Sequence, residues 1–472
     1  MARLSPQPRR TASRPRRGVL AIMEMPASAE LQPGDVLRAG RYEIKQLRRS
    51  APDKNVYLAE DRALACQVAI DVFLNNNSIL PNGLTVGAWE ASVLGQLGDH
   101  PNIAKAHDYW EEGKTAVMVT RYLAGGNLAD RIAASQPPGG GLPVERIIQL
   151  STEIARGLEH IHRRRILYRD LQPRNVLLDE WGVVHLVDFD TAVSFDERYT
   201  SDLSQRPVVV YTAPEVTDGG NVGERSDLYS LGATMYEMAA GHSPFAGTRE
   251  TILMARRVGP PPALVRNDLP HALRELIFRL LAPNPERRPA DAASVIGNLD
   301  SIRAVRAEIE QILGSDETAT LEFKSSLHTP IAALTKEEKS HIRSFQRELE
   351  HSILKTLSAF LNSSGGTLVI GVSDDHSLIG IEVDYPTTRG SSDGWRLKFD
   401  RLVSENLGNG ALNFIDLRLE PWCGRTIAIV KCSKREEPTL IGDDELFVRR
   451  TASSVRLSMR EALTWWRERR AC

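Results

Sequence analysis

Cysteine is scarce: Cys66, Cys423, Cys432 and Cys472 are the only four in 472 residues. So few exclude a disulfide framework, and no two have the CxxC spacing of a metal site, so no structural metal is expected. A reducing cytoplasm is the compartment this usage implies. No run of 18 apolar residues occurs, so no transmembrane helix is expected and no membrane partner. An excess of one charge is missing too. With 59 basic and 61 acidic residues the net charge is -2, so any nucleic-acid contact must come from a local patch.

What is present is ordinary globular protein, 42% hydrophobic and 25% charged, at a length that suits two or three domains. Residues 1–34 are rich in Pro, Arg and Ser and read as a disordered basic arm. A start at Met23 or Met25 would remove most of it. From Arg41 the pattern becomes short alternating strands, at Arg41–Leu47, Asn55–Glu60, Gln67–Phe73 and Thr115–Arg121, with a helix at Ala88–Leu97. PPGGG at 137–141 reads as a loop. Helical periodicity follows at Val144–Arg163, Arg225–Ala240, Pro270–Leu281 and Asp291–Leu313. Strands first and helices second imply two lobes with a cleft between them. Beyond Ser315 the pattern restarts as mixed α/β, with a helix at Ser344–Asn362 and strands at Thr367–Val372 and Thr426–Cys432.

Several motifs fall in order along the first region. Tyr168-Arg169-Asp170 is followed by Asn175, then Asp188-Phe189-Asp190, Ala213-Pro214-Glu215, Asp227 in SDLYSLG and Arg288 in NPERRPA. In this order they resemble the eukaryotic-type Ser/Thr protein kinases of bacteria, over residues 40–300. The resemblance implies a two-lobed α+β kinase fold over 35–302. It makes Asp170 the catalytic base, Asn175 and Asp188 the Mg²⁺ ligands, and Asp227, Glu215 and Arg288 scaffold residues. It places nucleotide-binding positions at Glu90 and, along the connection between lobes, at Arg121 and Leu123. ATP and Mg²⁺ are the implied cofactors.

The departures from that family are concentrated on phosphate. Transfer of a phosphoryl group needs cations and amide donors on the phosphates. The three glycines of the family's phosphate-covering loop fall at Arg49, Ala51 and Lys54. The lysine of the VAIK strand is Asp71, the catalytic-loop lysine is Gln172, and the threonine ahead of the APE motif falls at Val208. Asp190 replaces the glycine of the metal motif. Glu90, the helix glutamate that normally pairs with the strand lysine, would face Asp71 as a second carboxylate. Groups that hold the fold remain and groups that bind phosphate are gone, the signature expected of a pseudokinase. The alternative runs through Lys54. The with-no-lysine kinases move their phosphate lysine to this same place and remain active. Otherwise Lys54 would be a solvated lysine at a loop tip.

The last third carries LEFKSS at 321–326, AFLNSSGGTLVIGVSDD at 359–375, LIGIE at 378–382 and ELFVRRTASSVRLS at 445–458. Together these resemble the Schlafen-type AlbA domain, a smaller α/β fold expected over 317–470 after a helical linker at 303–316. The resemblance implies nucleic acid, DNA or RNA, as a partner. Lys324, Arg449, Arg450, Ser453 and Ser454 are cations and hydroxyls suited to phosphate oxygens. Three acids, Glu317, Glu322 and Asp374, match the arrangement in nuclease members of the Schlafen family and could hold a divalent ion that activates water. The expected function is regulatory or defensive. A degenerate kinase-like domain would sense nucleotide or a protein partner and be coupled through the Asp291–Leu313 helix to a nucleic-acid module. The alternatives are an active kinase working through Lys54 and a metal-dependent nuclease.

Overall fold

The structure is a computed structural model. It describes residues 30–74, 79–80, 82–112, 115–135, 140–195, 209–330 and 342–471. The arm up to residue 29, most of the PPGGG segment, and Val208 lie outside the described residues. Residues 30–34 do not belong to a free arm: the Leu31 amide donates to the Tyr57 hydroxyl at 3.1 Å, and Leu31 packs against the first sheet.

That sheet has six strands: β1 (Val36–Leu37), β2 (Tyr42–Ser50), β3 (Lys54–Asp61), β4 (Cys66–Phe73), β5 (Ala106–Glu112) and β6 (Thr115–Arg121). Their order is β1-β2-β3-β4-β6-β5, with antiparallel pairing throughout. Period-two alternation sorts the side chains. Tyr57, Ala59, Val68, Ile70 and Val72 form a core on one face. Lys54 and Val56 on β3, with Ala69, Asp71 and Phe73 on β4, have the opposite parity and face the cleft. Helix α1 (Val86–Leu97) packs there, N-capped by Thr85, whose hydroxyl accepts from the Ala88 amide.

The second lobe is built from β7 (Gly126–Asn127), α2 (Leu128–Ala134), α3 (Val144–Arg163), β8 (Ile166–Leu167), β9 (Val176–Leu178), β10 (Val184–Leu186), β11 (Val193–Ser194), α4 (Pro214–Asp218), α5 (Glu224–Ala240), α6 (Arg249–Val258) and α7 (His271–Leu280). Helix α5 is buried on nearly every face at the centre of this lobe. Such a helix carries little amphipathic signal, because no face needs to be polar. The predicted elements fall within a few residues of those observed; α2, α4, α6, β1, β5 and the short strands β7 to β11 were not anticipated.

Helix α8 (Ala292–Leu313) runs without a break through the expected end of the kinase domain at 302 and most of the expected linker. Its first turns pack into the kinase core through Val295, Leu299 and Ile302. Its last turns, through Val305, Ile309, Ile312 and Leu313, join a separate core with Leu321, Phe323, Val369, Val372, Ile427 and Ile429. The segment is thus shared by both cores and does not act as a spacer.

The C-terminal domain comprises β12 (Leu321–Lys324), α9 (Ile342–Leu361), β13 (Gly366–Ile370), α10 (Ser392–Leu407), β14 (Ile415–Trp422), β15 (Arg425–Cys432), β16 (Leu440–Ile441), β17 (Glu445–Arg450), β18 (Ser453–Arg456) and α11 (Met459–Ala471). Its main sheet has the order β12-β13-β15-β14, with β12 and β13 parallel. A small sheet, β16-β17-β18, stands beside it. The main sheet is covered on both faces. α8 takes the face of Val369, Ile427 and Ile429, and α9 and α10 take the face of Leu368, Ile370, Ala428 and Val430.

Candidate functional site

The cleft is organised around Asp227. Its carboxylate accepts from the amides of Tyr168 at 2.9 Å and Arg169 at 2.7 Å and meets His162 Nε2 at 2.8 Å. It is 1% exposed, so it can be satisfied only by these partners. The catalytic-loop segment is therefore pinned to α5 by its backbone, whatever side chains it carries. The Tyr168 ring packs at 4.9 Å from Phe189, and its hydroxyl donates to the carbonyl of Val187. Glu215 and Arg288 form a bidentate pair, at 2.7 and 2.9 Å, beneath the cleft. These scaffold residues take the places the sequence assigned them.

Lys54 does not extend into water. It opens β3, is 9% exposed, and its Nζ lies 2.8 Å from Asp188 Oδ1, 3.4 Å from Glu90 Oε2 and 3.6 Å from Asp71 Oδ2. The Phe73 ring lies below it at 5.2 Å. The expected clash between Asp71 and Glu90 is mediated by this ammonium, which enters from the neighbouring strand. Burial by itself would lower the pKa of Lys54, but Glu90, Asp188 and Asp71 outweigh it and hold the amine well above its usual value. One cation cannot satisfy three carboxylates. Burial raises Asp71 and pushes Glu90 up to about 8 against the pull of Lys54. Glu90 Oε1 also accepts from the Phe189 amide at 3.0 Å, and Trp89 Nε1 donates to the Ala192 carbonyl at 2.8 Å. α1 is thereby tied to the metal-motif segment at two points. Asp188 has φ 66°, a left-handed conformation that a non-glycine residue keeps only when its surroundings enforce it.

Around the candidate base, Asn175 Nδ2 donates to Asp170 Oδ2 at 2.7 Å, and Gln172 Nε2 lies 3.2 Å from both Asp170 oxygens. With its amide nitrogen engaged, Asn175 has its carbonyl oxygen to offer a metal. Asn175 and Asp188 together suit Mg²⁺, which takes one or two protein ligands and completes its shell with phosphate and water. The β2–β3 turn is tight and lacks glycine, with the Ala51 amide donating to the Lys54 carbonyl at 3.1 Å. Arg49 on this hairpin reaches to 3.8 Å from Asp188. Leu123 is buried just beyond β6, and Arg121 pairs with Glu180 at 3.1 Å.

This arrangement agrees with the comparisons. Residues 55–298 match the protein kinase domain. The chain belongs to the protein kinase family. Its kinase domain is 32% identical over 275 residues to the DNA damage-responsive serine/threonine-protein kinase RqkA of Deinococcus radiodurans, covering 56% of this chain and 40% of that one. It is 31% identical over 281 residues to PknA of Mycobacterium tuberculosis, covering 58% and 63%, and 30% identical over 258 residues to PrkC of Bacillus subtilis, covering 53% and 38%. The chain thus spans less than two thirds of the length of these relatives. Residues 317–458 match the Schlafen, AlbA_2 domain.

In the Schlafen AlbA_2 domain several expectations change. The Arg449 side chain is 2% exposed, so it cannot be the surface phosphate contact expected of it. It pairs with Glu322 at 2.6 Å, donates to the Thr318 carbonyl at 2.8 Å and to Ser454 Oγ at 3.1 Å, and lies over the Phe360 ring. Lys324 pairs with the same Glu322 at 2.6 Å. Glu322 is therefore bracketed by two cations inside the fold. Glu317 accepts from the Phe323 amide at 2.8 Å, and Asp374 is exposed in the turn after β13. Glu322 and Glu317 are thus each engaged locally within the fold. Among the described residues no three acidic, histidine or cysteine side chains come together as metal ligands would. The expected nuclease centre is not assembled, because β12 directs Glu322 to Arg449 and Lys324. Arg450 and Ser453 remain exposed, facing each other across the β17–β18 hairpin.

Two contributors went unseen in the sequence: Trp89 as a tether of α1, and Phe73 beneath the ammonium. Strand parity could have found Phe73, which shares the cleft face with Asp71.

Proposed function

We propose that the kinase domain binds ATP with Mg²⁺ and transfers phosphate to Ser or Thr hydroxyls through Lys54, and that α8 couples it to a Schlafen AlbA_2 domain that binds nucleic acid. The observation that carries this reading is the seat of the Lys54 ammonium, 2.8 Å from Asp188 and 3.4 Å from Glu90. A cation so placed lies beside a metal-ligand candidate and the α1 glutamate, as a phosphate lysine must. Asn175 and Asp188 would hold Mg²⁺, which would supply positive charge on the phosphates; Lys54, beside Asp188, would reach the same phosphates, and Asp170 would orient the acceptor hydroxyl.

The test is incorporation of label from γ-labelled ATP with Mg²⁺, on the chain itself and on a generic Ser/Thr substrate. Incorporation that disappears in both Lys54→Ala and Asp170→Ala supports the reading. Incorporation unchanged in Lys54→Ala would sink it.

A second reading, a domain that binds nucleotide without transferring phosphate, is favoured by the glycine-free β2–β3 turn and by Gln172. A neutral amide stands against Asp170 where the family has a lysine, so charge developing on the transferred group has one cation fewer. ATP-dependent thermal stabilisation without incorporation, lost in Lys54→Ala, is its signature.

A further inference from the structure

Resting on the nucleic-acid reading above, we propose that the C-terminal domain takes single-stranded nucleic acid in the cleft between β17 and α11, with Arg450 and Arg460 on the phosphodiester groups.

Position is the first argument. Both faces of the main sheet are covered by helices, α8 on one side and α9 and α10 on the other. No flat strand surface is left there for a polymer. The small sheet and α11 remain, and the positive charge gathers on them. From Arg449 to Cys472 the chain has seven arginines and two glutamates, in a protein of net charge -2. This is the local patch that a near-neutral protein needs in order to attract phosphate.

Partnering is the second argument. Three of these arginines are engaged by the fold. Arg449 is paired with Glu322, Arg456 with Asp444 and Glu445, and Arg469 with the carbonyls of Asn362 and Arg435. Arg450 and Arg460 are exposed and form no ion pair among the described residues. They line one cleft of about 460 Å³ together with Ser363, Leu457, Thr464 and Trp465. That volume lies within the range of roughly 300–1,000 Å³ typical of small-ligand sites. Glu461 and Glu468 also line it, and the Glu461 carboxylate is held by the Ser458 amide at 2.8 Å and hydroxyl at 2.7 Å.

The cleft also selects the form of nucleic acid. Its lining sets apolar side chains, Val448, Leu457 and Trp465, beside the two unpaired cations Arg450 and Arg460. A single strand can offer a phosphate and an unpaired base to such a pocket at once. A duplex keeps its bases in the stack and can offer the phosphate alone.

The experiment is fluorescence anisotropy of the full chain with labelled short DNA and RNA strands of one mixed sequence, and with the matching duplexes, across a salt series. Arg450→Ala and Arg460→Ala should each weaken single-strand binding, and the double variant should weaken it at least about tenfold. The slope of log affinity against log salt should flatten by about 0.7 for each arginine withdrawn from the phosphates. Arg401→Ala, at an exposed arginine on α10, should change neither. Since the substituted arginines are exposed, unchanged thermal unfolding will establish that the variants are folded. Single-strand binding with unchanged affinity and slope in the double variant overturns this site and leaves the nucleic-acid reading standing. Duplexes bound as tightly, with the same losses in the variants, overturn the single-strand assignment. No binding of any form by the parent chain overturns the reading itself. Loss with RNA alone or with DNA alone supports the site and names the source of the phosphodiester.

Discussion

Lys54 and Asp71 stand on adjacent strands of one sheet with their charges 3.6 Å apart, and each occupies a position at which the kinase family has a different residue. In the family β4 would carry the cation and the turn before β3 a glycine. Here the cation has moved to the start of β3 and β4 supplies an anion. The pair keeps one ammonium in the cleft while reversing the strand from which it comes.

This exchange predicts a rescue. Lys54→Ala should lower nucleotide-dependent phosphotransfer by about 10²–10³, the usual cost of removing one preorganised donor to a developing charge. Adding Asp71→Lys to that variant restores a cation from β4 and should recover part of the loss. Asp71→Lys alone places two ammonium groups together and should not improve on the parent. Initial rates of label incorporation compare the three. Equal rates in Lys54→Ala and in the rescued double variant would falsify the exchange.

Proton release should accompany metal-nucleotide binding. Burial raises Glu90 to about 8 and also raises Asp71, so the acid cluster retains a proton near neutral pH. A divalent cation favours the ionised forms and should expel it. Calorimetry at pH 7 in buffers of different ionisation enthalpy should show net release with Mg²⁺ and ATP, and Glu90→Gln should diminish it. The same shift sets a stability slope. A carboxyl whose folded pKa is raised binds more protons folded than unfolded, so its contribution is full below its ordinary value of 4.5 and declines as pH rises towards 8. Glu90→Gln should flatten that decline in denaturant titrations.

Arg449→Ala should act on stability before it acts on binding. The side chain is 2% exposed and holds Glu322, so its removal leaves a carboxylate inside the fold with Lys324 as its remaining ion-pair partner. Breaking a buried pair on one side costs about 3–5 kcal/mol. The loss should appear in the denaturation midpoint of the C-terminal domain. Arg450→Ala, on an exposed neighbour, should leave the midpoint within about 0.5 kcal/mol.

The fragment 315–472 should be poorly soluble, and 292–472 well behaved. The shorter piece lacks α8 and uncovers Val369, Ile427 and Ile429, which Val305, Ile309 and Ile312 otherwise bury. The longer piece keeps that cover and exposes Val295, Leu299 and Ile302, which pack into the kinase core in the full chain. Sedimentation and dye binding to exposed apolar surface will distinguish the two. Equal behaviour would mean that α8 is dispensable to the second core.

Much of the architecture was legible from local pattern. Strand parity and helical period placed β2 to β4, α3, α5, α7 and α8 within a few residues, because those segments bury one consistent face or are apolar throughout. α6 and α10 were missed, since α6 buries only Ile252 and Arg256 and so offers a single buried apolar position to its pattern, and α10 begins in a Gly- and Ser-rich stretch that reads as loop. In the cleft, the order of residues settles which chemical groups exist: the acids at 71, 90, 170 and 188, the absent glycines, and one lysine displaced by a strand. It does not settle that the displaced lysine turns inward. That depends on the β2–β3 turn closing tightly enough to start β3 at Lys54 and on α1 bringing Glu90 beneath it. The same division holds in the C-terminal domain. Arg449 and Arg450 are adjacent and alike as letters. The pleat sends one inward to Glu322 and leaves the other at the surface, since successive side chains on a strand point to opposite faces and only packing decides which face is the core.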